Sequence, residues 1–92
     1  MDTVILIPAY KPDMALIQLV KQLHAINELD ILVVDDGSGA EFAPVFAQLS
    51  GLAAFTGYDT NHGKGYALKH GFNMVSEFFP DAKYIVTADA DG

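Results

Sequence analysis

Two four-residue runs with no polar interruption, Val4-Ile-Leu-Ile7 and Ile31-Leu-Val-Val34, constrain the fold of this chain more than anything else in it. β-Branched and aliphatic residues in unbroken series describe strands buried on both faces, and such strands occur in parallel sheets covered by helices on each side. The chain between and beyond them supplies those helices. Pro12 stands where a helix of about four turns can begin, and Leu16, Leu19, Val20, Leu23 and Ile26 follow at the spacing of one apolar stripe. After the second run, Ser38 and Glu41 have capping-box spacing, and Phe42, Val45, Phe46 and Leu49 give the short helix they would open an inward face.

Ala53-Ala-Phe-Thr56 reads as a weaker third strand, and Asn61-His-Gly-Lys-Gly65 as a loop. From Ala67 the positions Leu68, Phe72, Val75 and Phe79 recur at helical spacing until Pro80-Asp81 ends the pattern, and Tyr84 to Thr87 makes a fourth strand. The resulting β-α-β-α-β-α-β order predicts a Rossmann-like, three-layer α/β/α fold with a parallel sheet of about four strands. Ninety-two residues suffice for one small domain.

Each predicted strand is followed by a polar or turn-forming cluster. Pro8-Ala9-Tyr10 follows the first, Asp35-Asp36-Gly37-Ser38 the second, Asn61 to Gly65 the third, and Asp89-Ala-Asp91 the fourth. In open parallel sheets, ligands bind beyond the carboxyl ends of the strands, so four clusters at one edge predict a binding crevice. Asp89 and Asp91, two apart in an extended segment, can face one ligand and offer hard oxygens to Mg2+ or Mn2+. Asp35 and Asp36 point opposite ways, so one of them can face the crevice and accept hydrogen bonds from a nucleotide. The alternative reading of Asp35-Asp36-Gly37-Ser38 is a polar turn feeding a helix cap. Gly63 and Gly65 stand at a helix start, where free amides and Lys64 favour an anion, although the loop is neither a Walker A motif nor a dinucleotide fingerprint. The Tyr10 ring can stack on a base or pack within its loop. His24 and His70 are placed on solvent-facing helix positions, and no Ser-His-Asp or Cys-His arrangement is present.

Composition narrows the partners. A net charge of −7, with five dispersed lysines and no arginine, argues against nucleic acid and implies that a phosphorylated ligand would need a metal or backbone amides. There is no cysteine for a disulfide or thiolate metal site, and neither a basic leader nor a membrane-length apolar run, which fits a cytoplasmic setting.

With Pro8-Ala9-Tyr10, Val33-Val-Asp-Asp-Gly-Ser38, Asn61-His-Gly-Lys-Gly-Tyr-Ala67 and Asp89-Ala-Asp-Gly92 in this order, the chain resembles the N-terminal half of family 2 glycosyltransferases along essentially its whole length. The resemblance implies a truncated A-type glycosyltransferase fold. It also implies a nucleotide-sugar donor, UDP-linked more than GDP-linked, and Mn2+ or Mg2+. Pro8, Ala9 and Tyr10 would line base and ribose, and Asp36 would contact the base, with Asp35 as the alternative. Lys64 would lie near base or diphosphate, Asp89 near ribose or metal, and Asp91 would be the main metal ligand. The acceptor, a glycan, lipid or protein, and the base that deprotonates it are expected in the family's C-terminal half. Residues 1–92 are therefore expected to be a donor-binding fragment that does not transfer sugar alone and that self-associates through an open sheet edge. Later segments could hold it at the cytoplasmic face of a membrane. A receiver-type signalling domain and a structural fragment that binds nothing are the alternatives.

Overall fold

The structure, a computed structural model, describes residues 2–26 and 28–90. The elements run β1 (Thr3–Ala9), α1 (Met14–His24), β2 (Leu29–Asp36), a 3-10 turn (Ala40–Phe42), α2 (Ala43–Ala47), β3 (Ala54–Tyr58), α3 (Lys64–Phe78) and β4 (Tyr84–Thr87). The four strands are parallel and ordered β3-β2-β1-β4, so the direction in which strands are added reverses between β1 and β4. The expected three-layer α/β/α arrangement is present.

Strand alternation divides the core in two. Ile5, Ile7, Ala9, Ile31 and Val33 face α1 and α2, where Leu16, Ile17, Val20, Phe46 and Leu49 meet them. Val4, Leu6, Leu32 and Val34 face α3, packing against Ala67 and Val75. Leu6, Ile7, Leu32, Val33 and Val34 are fully buried, each contributing about 1.5–3 kcal/mol relative to exposure.

Several boundaries differ from the expected ones, for physical reasons. β1 does not stop before Pro8, which pairs in register with Val34 of β2. The Leu6 carbonyl accepts the Ala88 N–H, so Pro8, two residues on, faces that same side, where pairing with β4 has already ended at Leu6. The amide that proline lacks has no strand to bond there. α1 starts two residues after Pro12 because the Asp13 carboxylate caps it, accepting the Ala15 N–H at 2.9 Å. β3 lies slightly later than Ala53–Thr56, its position fixed by pairing with β2 from Leu32 to Asp36.

The capping box expected of Ser38 and Glu41 does not form. Gly39 precedes the 3-10 turn without a side-chain cap, and Ser38 is buried elsewhere. α3 begins at Lys64, three residues before the predicted stripe. Its buried line is Ala67, Gly71 and Val75, leaving Phe72 exposed. Small residues win this face because the helix lies directly on Leu6 and Val34: a Cβ at Gly71 would collide with Leu6 Cδ1 and stand 3.0 Å from Val34 Cγ2. All of β4 is solvent-exposed, and no helix of the described residues is long and apolar enough to cross a membrane.

Gly71→Val is expected to destabilise the chain by about 1–3 kcal/mol through overpacking against Leu6 and Val34. Urea unfolding checks this, and an unchanged midpoint would show that α3 can lift off the sheet at little cost.

Candidate functional site

The strand-order reversal opens a crevice beyond the carboxyl ends of β1 and β4. A cleft of about 450 Å³ occupies it, lined by Pro8 and Ala9 from β1 and Tyr10 just after it, Asp36 from β2, Asn61, Gly63 and Lys64 before and at the start of α3, and Asp89 and Ala90 after β4. All four strand ends contribute. Of the sequence-predicted site residues, Pro8, Ala9, Tyr10, Asp36, Lys64 and Asp89 come together here. Asp91 lies outside the described residues. Asp35 is absent from this cleft and lines a different cavity with Phe46, Phe55 and Asp59.

The two adjacent aspartates divide two jobs. Asp35 Oδ1 accepts the Ser38 N–H at 2.9 Å and closes the turn after β2. Asp36, only 3% exposed, is in phase with Leu32 and Val34 and projects toward the start of α3. Its Oδ1 accepts from the Tyr58 hydroxyl at 2.7 Å and the His62 N–H at 3.0 Å. Its Oδ2 accepts from Asn61 Nδ2 at 2.8 Å and the Gly63 N–H at 2.9 Å. A carboxylate offers about four lone-pair sites, and all four are used. Asn61 Nδ2 also reaches the Asp36 carbonyl at 3.0 Å. The base contact expected of Asp36 would have to compete with these four bonds. In this structure its carboxylate is committed to the loop, and it serves the cleft by fixing Asn61 and Gly63 on the wall.

Gly37 is required by the same loop. Its φ is +69°, and a Cβ there would collide with the backbone of Thr60 and Asn61, which cross directly above it. Gly63, at φ +94°, combines donation to Asp36 with the opening of α3, which has no side-chain cap. On the far side the loop rests on an aromatic cluster: His62 lies 4.2 Å from Tyr66, and the Tyr58 ring lies 5.1 Å from Tyr66, 5.2 Å from His70 and 5.4 Å from His62. His70 is thus half-buried against Tyr58, with Nε2 3.5 Å from Thr56 Oγ1, and does not face solvent as expected. Burial of its phenol, reinforced by the bond to Asp36 and by nearby negative charge, holds the Tyr58 pKa well above the ordinary tyrosine value.

The β1 wall has its own tie. The buried Ser38 hydroxyl accepts the Lys11 N–H at 2.8 Å, holding Lys11 at φ +47°, a conformation few non-glycine residues adopt. The turn after β1 is thereby fastened to the turn after β2. Tyr10 is 46% exposed, with the Lys11 ammonium 5.4 Å from its ring centroid. Across the cleft, Lys64 Nζ makes an ion pair with Asp89 Oδ1.

No group of three or more metal-ligating side chains occurs among the described residues. Asp89 is nevertheless of the right chemistry for Mg2+ or Mn2+, a hard carboxylate oxygen on the cleft rim that already holds a cation, the Lys64 ammonium. Tyr58 was not foreseen as a site residue. It stands opposite Asp36 in the β2–β3 register, a relation that exists only once the strands pair.

The sequence matches the profile of Glycosyl transferase family 2 over residues 4–92. Among solved structures it is similar to S. aureus TarS, with 18% identity, a TM-score of 0.72, and coverage of 99% of this chain and 28% of that one. It is also similar to TarS in complex with UDP-GlcNAc, with 19% identity, a TM-score of 0.69, and coverage of 99% and 27%. The chain therefore spans little more than a quarter of the TarS 1-349 chains and 17% of the TarS chain in a further structure. Comparison with curated protein sequences finds no match.

Tyr58→Phe removes one donor from a buried carboxylate and is expected to cost about 1.5–3 kcal/mol at neutral pH. A raised folded-state pKa stabilises the fold fully below the unfolded tyrosine value of about 10, and this contribution is lost as pH rises beyond it. Denaturant unfolding from pH 8 to 11 should show wild type losing more stability than Tyr58→Phe over that range. Parallel losses would contradict the Tyr58–Asp36 bond.

Proposed function

The chain belongs to glycosyl transferase family 2, and on that premise we propose that residues 1–92 form the donor-binding part of a glycosyltransferase. Its cleft takes a nucleoside-diphosphate sugar, UDP-linked in preference to GDP-linked, whose sugar is destined for an acceptor hydroxyl on a glycan, lipid or protein. The observation that carries this reading is the convergence of all four strand ends on one cleft at the strand-order reversal, with Lys64 and the start of α3 inside it. The TarS complex with UDP-GlcNAc, which shares the fold, supports the choice of UDP. Family membership sets aside the receiver-type alternative.

In the proposed complex, Pro8 and Ala9 border the base and ribose, and the exposed Tyr10 ring offers a stacking face. Asp36 acts at one remove, holding Asn61 and Gly63 in the cleft wall. Lys64 and the first amides of α3 meet the diphosphate, where ammonium charge and helix dipole both favour an anion. Asp89 and Asp91 would hold Mn2+ or Mg2+, which supplies Lewis-acid stabilisation of charge on the departing diphosphate. With the Asp36 carboxylate saturated, no described cleft carboxylate is both free and placed to deprotonate an acceptor. The 92-residue chain is accordingly proposed to bind donor without turning it over, in a cytoplasmic setting or at the cytoplasmic face of a membrane.

Calorimetric titration of UDP and GDP, with and without Mn2+, tests the reading. Metal-dependent UDP binding, lost in Asp91→Ala, is the expected result; no binding at millimolar UDP with Mn2+ would contradict it. The exposed β4 is proposed to pair with a second copy along its open edge, since an unpaired edge recruits strands. Light scattering across a concentration series should show self-association, and a monomer at the highest concentration would count against it.

A further inference from the structure

We infer that two copies of this chain join their β4 edges antiparallel about a two-fold axis through Val86, so that Lys83 of each copy stands against Asp89 on the cleft rim of the other. The inference deepens the proposed pairing at β4 and rests on it. Its starting observation is the hydrogen-bonding phase of that strand. The Tyr84 and Ala88 amides donate to the Asp2 and Leu6 carbonyls, so Tyr84, Val86 and Ala88 turn their backbone polar groups toward β1. Alternation along the strand leaves the N–H and C=O of Ile85 and Thr87 on the open edge.

Outward-facing residues can exchange bonds only with one another, so a two-fold pairing centres on Ile85, Val86 or Thr87. Centring on Ile85 or Thr87 opposes that residue to its own copy and leaves the other without a partner inside the strand. Centring on Val86 opposes Ile85 to Thr87 on both sides of the axis and satisfies the outward N–H and C=O of both residues. The same register matches charge, because Lys83 and Asp89 lie equally far from Val86 on either side and meet at both ends of the pair. Among the described residues Asp89 is bonded by Lys64 alone, at Oδ1, which leaves Oδ2 for a second ammonium. On the face that β4 shares with Ile5, Tyr84 and Val86 are 64% and 49% exposed, and this register lays them against Ala88 and Val86 of the second copy, an uncharged row. The other open edge is a poorer partner: adding β4 to β3 in the parallel sense of this sheet would set Asp59 beside Asp89, and that contact does not close on itself as a two-fold pair does. Each cleft rim thereby carries a lysine from the neighbouring copy beside its own Lys64.

The chain has no cysteine, so single-cysteine variants of the 92-residue chain read the register. Opposed residues that share no hydrogen bonds lie about 4.5 Å apart at Cα, within disulfide reach, whereas Ile85 or Thr87 would lie two residues from its own copy and outside it. Val86→Cys should therefore cross-link readily under mild oxidation, and Ile85→Cys and Thr87→Cys should not. In analytical ultracentrifugation Lys83→Met should weaken dimerisation about two- to thirty-fold, the scale of two exposed ion pairs. Lys21→Met, on α1, controls for net charge and should weaken it far less. Cross-linking fastest at Ile85→Cys or Thr87→Cys or absent at Val86→Cys, or equal effects of the two lysine variants, in a chain whose wild type dimerises, would overturn this register alone. A wild type that stays monomeric at the highest concentration would overturn the pairing at β4 and the register with it.

Discussion

One buried carboxylate organises this structure. Asp36 brings a negative charge into the sheet end, and burial of such a charge is tolerable only when its oxygens are fully bonded. The donors come from β3 and from the loop leading into α3, so satisfying the charge fixes where the chain turns from strand to helix. Other constraints follow from it. Gly37 must be glycine because the loop held by Asp36 passes directly over it, and Gly63 adopts positive φ because its amide serves Asp36 at the point where α3 opens. Lys64 enters the cleft because it is the next residue.

Strand phase separates the two aspartates. Val33 and Val34 alternate between the two cores, and Asp35 and Asp36 continue the alternation past the sheet end. Asp35 follows Val33 to the α1–α2 side and closes a turn; Asp36 follows Val34 to the α3 side and anchors the cleft wall. One aspartate of Asp35-Asp36-Gly37-Ser38 thus closes a turn, and the other borders the cleft.

This also explains which features the sequence made legible. Strand existence and order of elements were readable because Val4–Ile7 and Ile31–Val34 carry a signal that needs no knowledge of partners, and the cleft followed because strand ends in a parallel sheet share an edge. Relations between distant residues were hidden. Tyr58 becomes a site residue only through register with Asp36, and Ser38 looked like a helix cap because the competing donor, the Lys11 amide, lies 27 residues away. α3 was misphased for a related reason: hydrophobicity favours Phe72 as the inward residue, but the gap above Leu6 and Val34 admits a glycine. Those errors trace to distance of approach, which residue type alone does not encode.

The seating of α3 has a consequence for how such a cleft can change over generations. A helix held off a sheet by long side chains can tilt or slide as they repack, but at Gly71 there is no such cushion between helix backbone and strand side chains. Lys64 sits seven residues nearer the N-terminus of this rod, about 10 Å along its axis. Drift in the hydrophobic interior beneath Gly71 would therefore be felt at the ammonium in the cleft, and descendants that explore new ligands by reshaping this wall would have to alter Leu6, Val34 and Gly71 in concert.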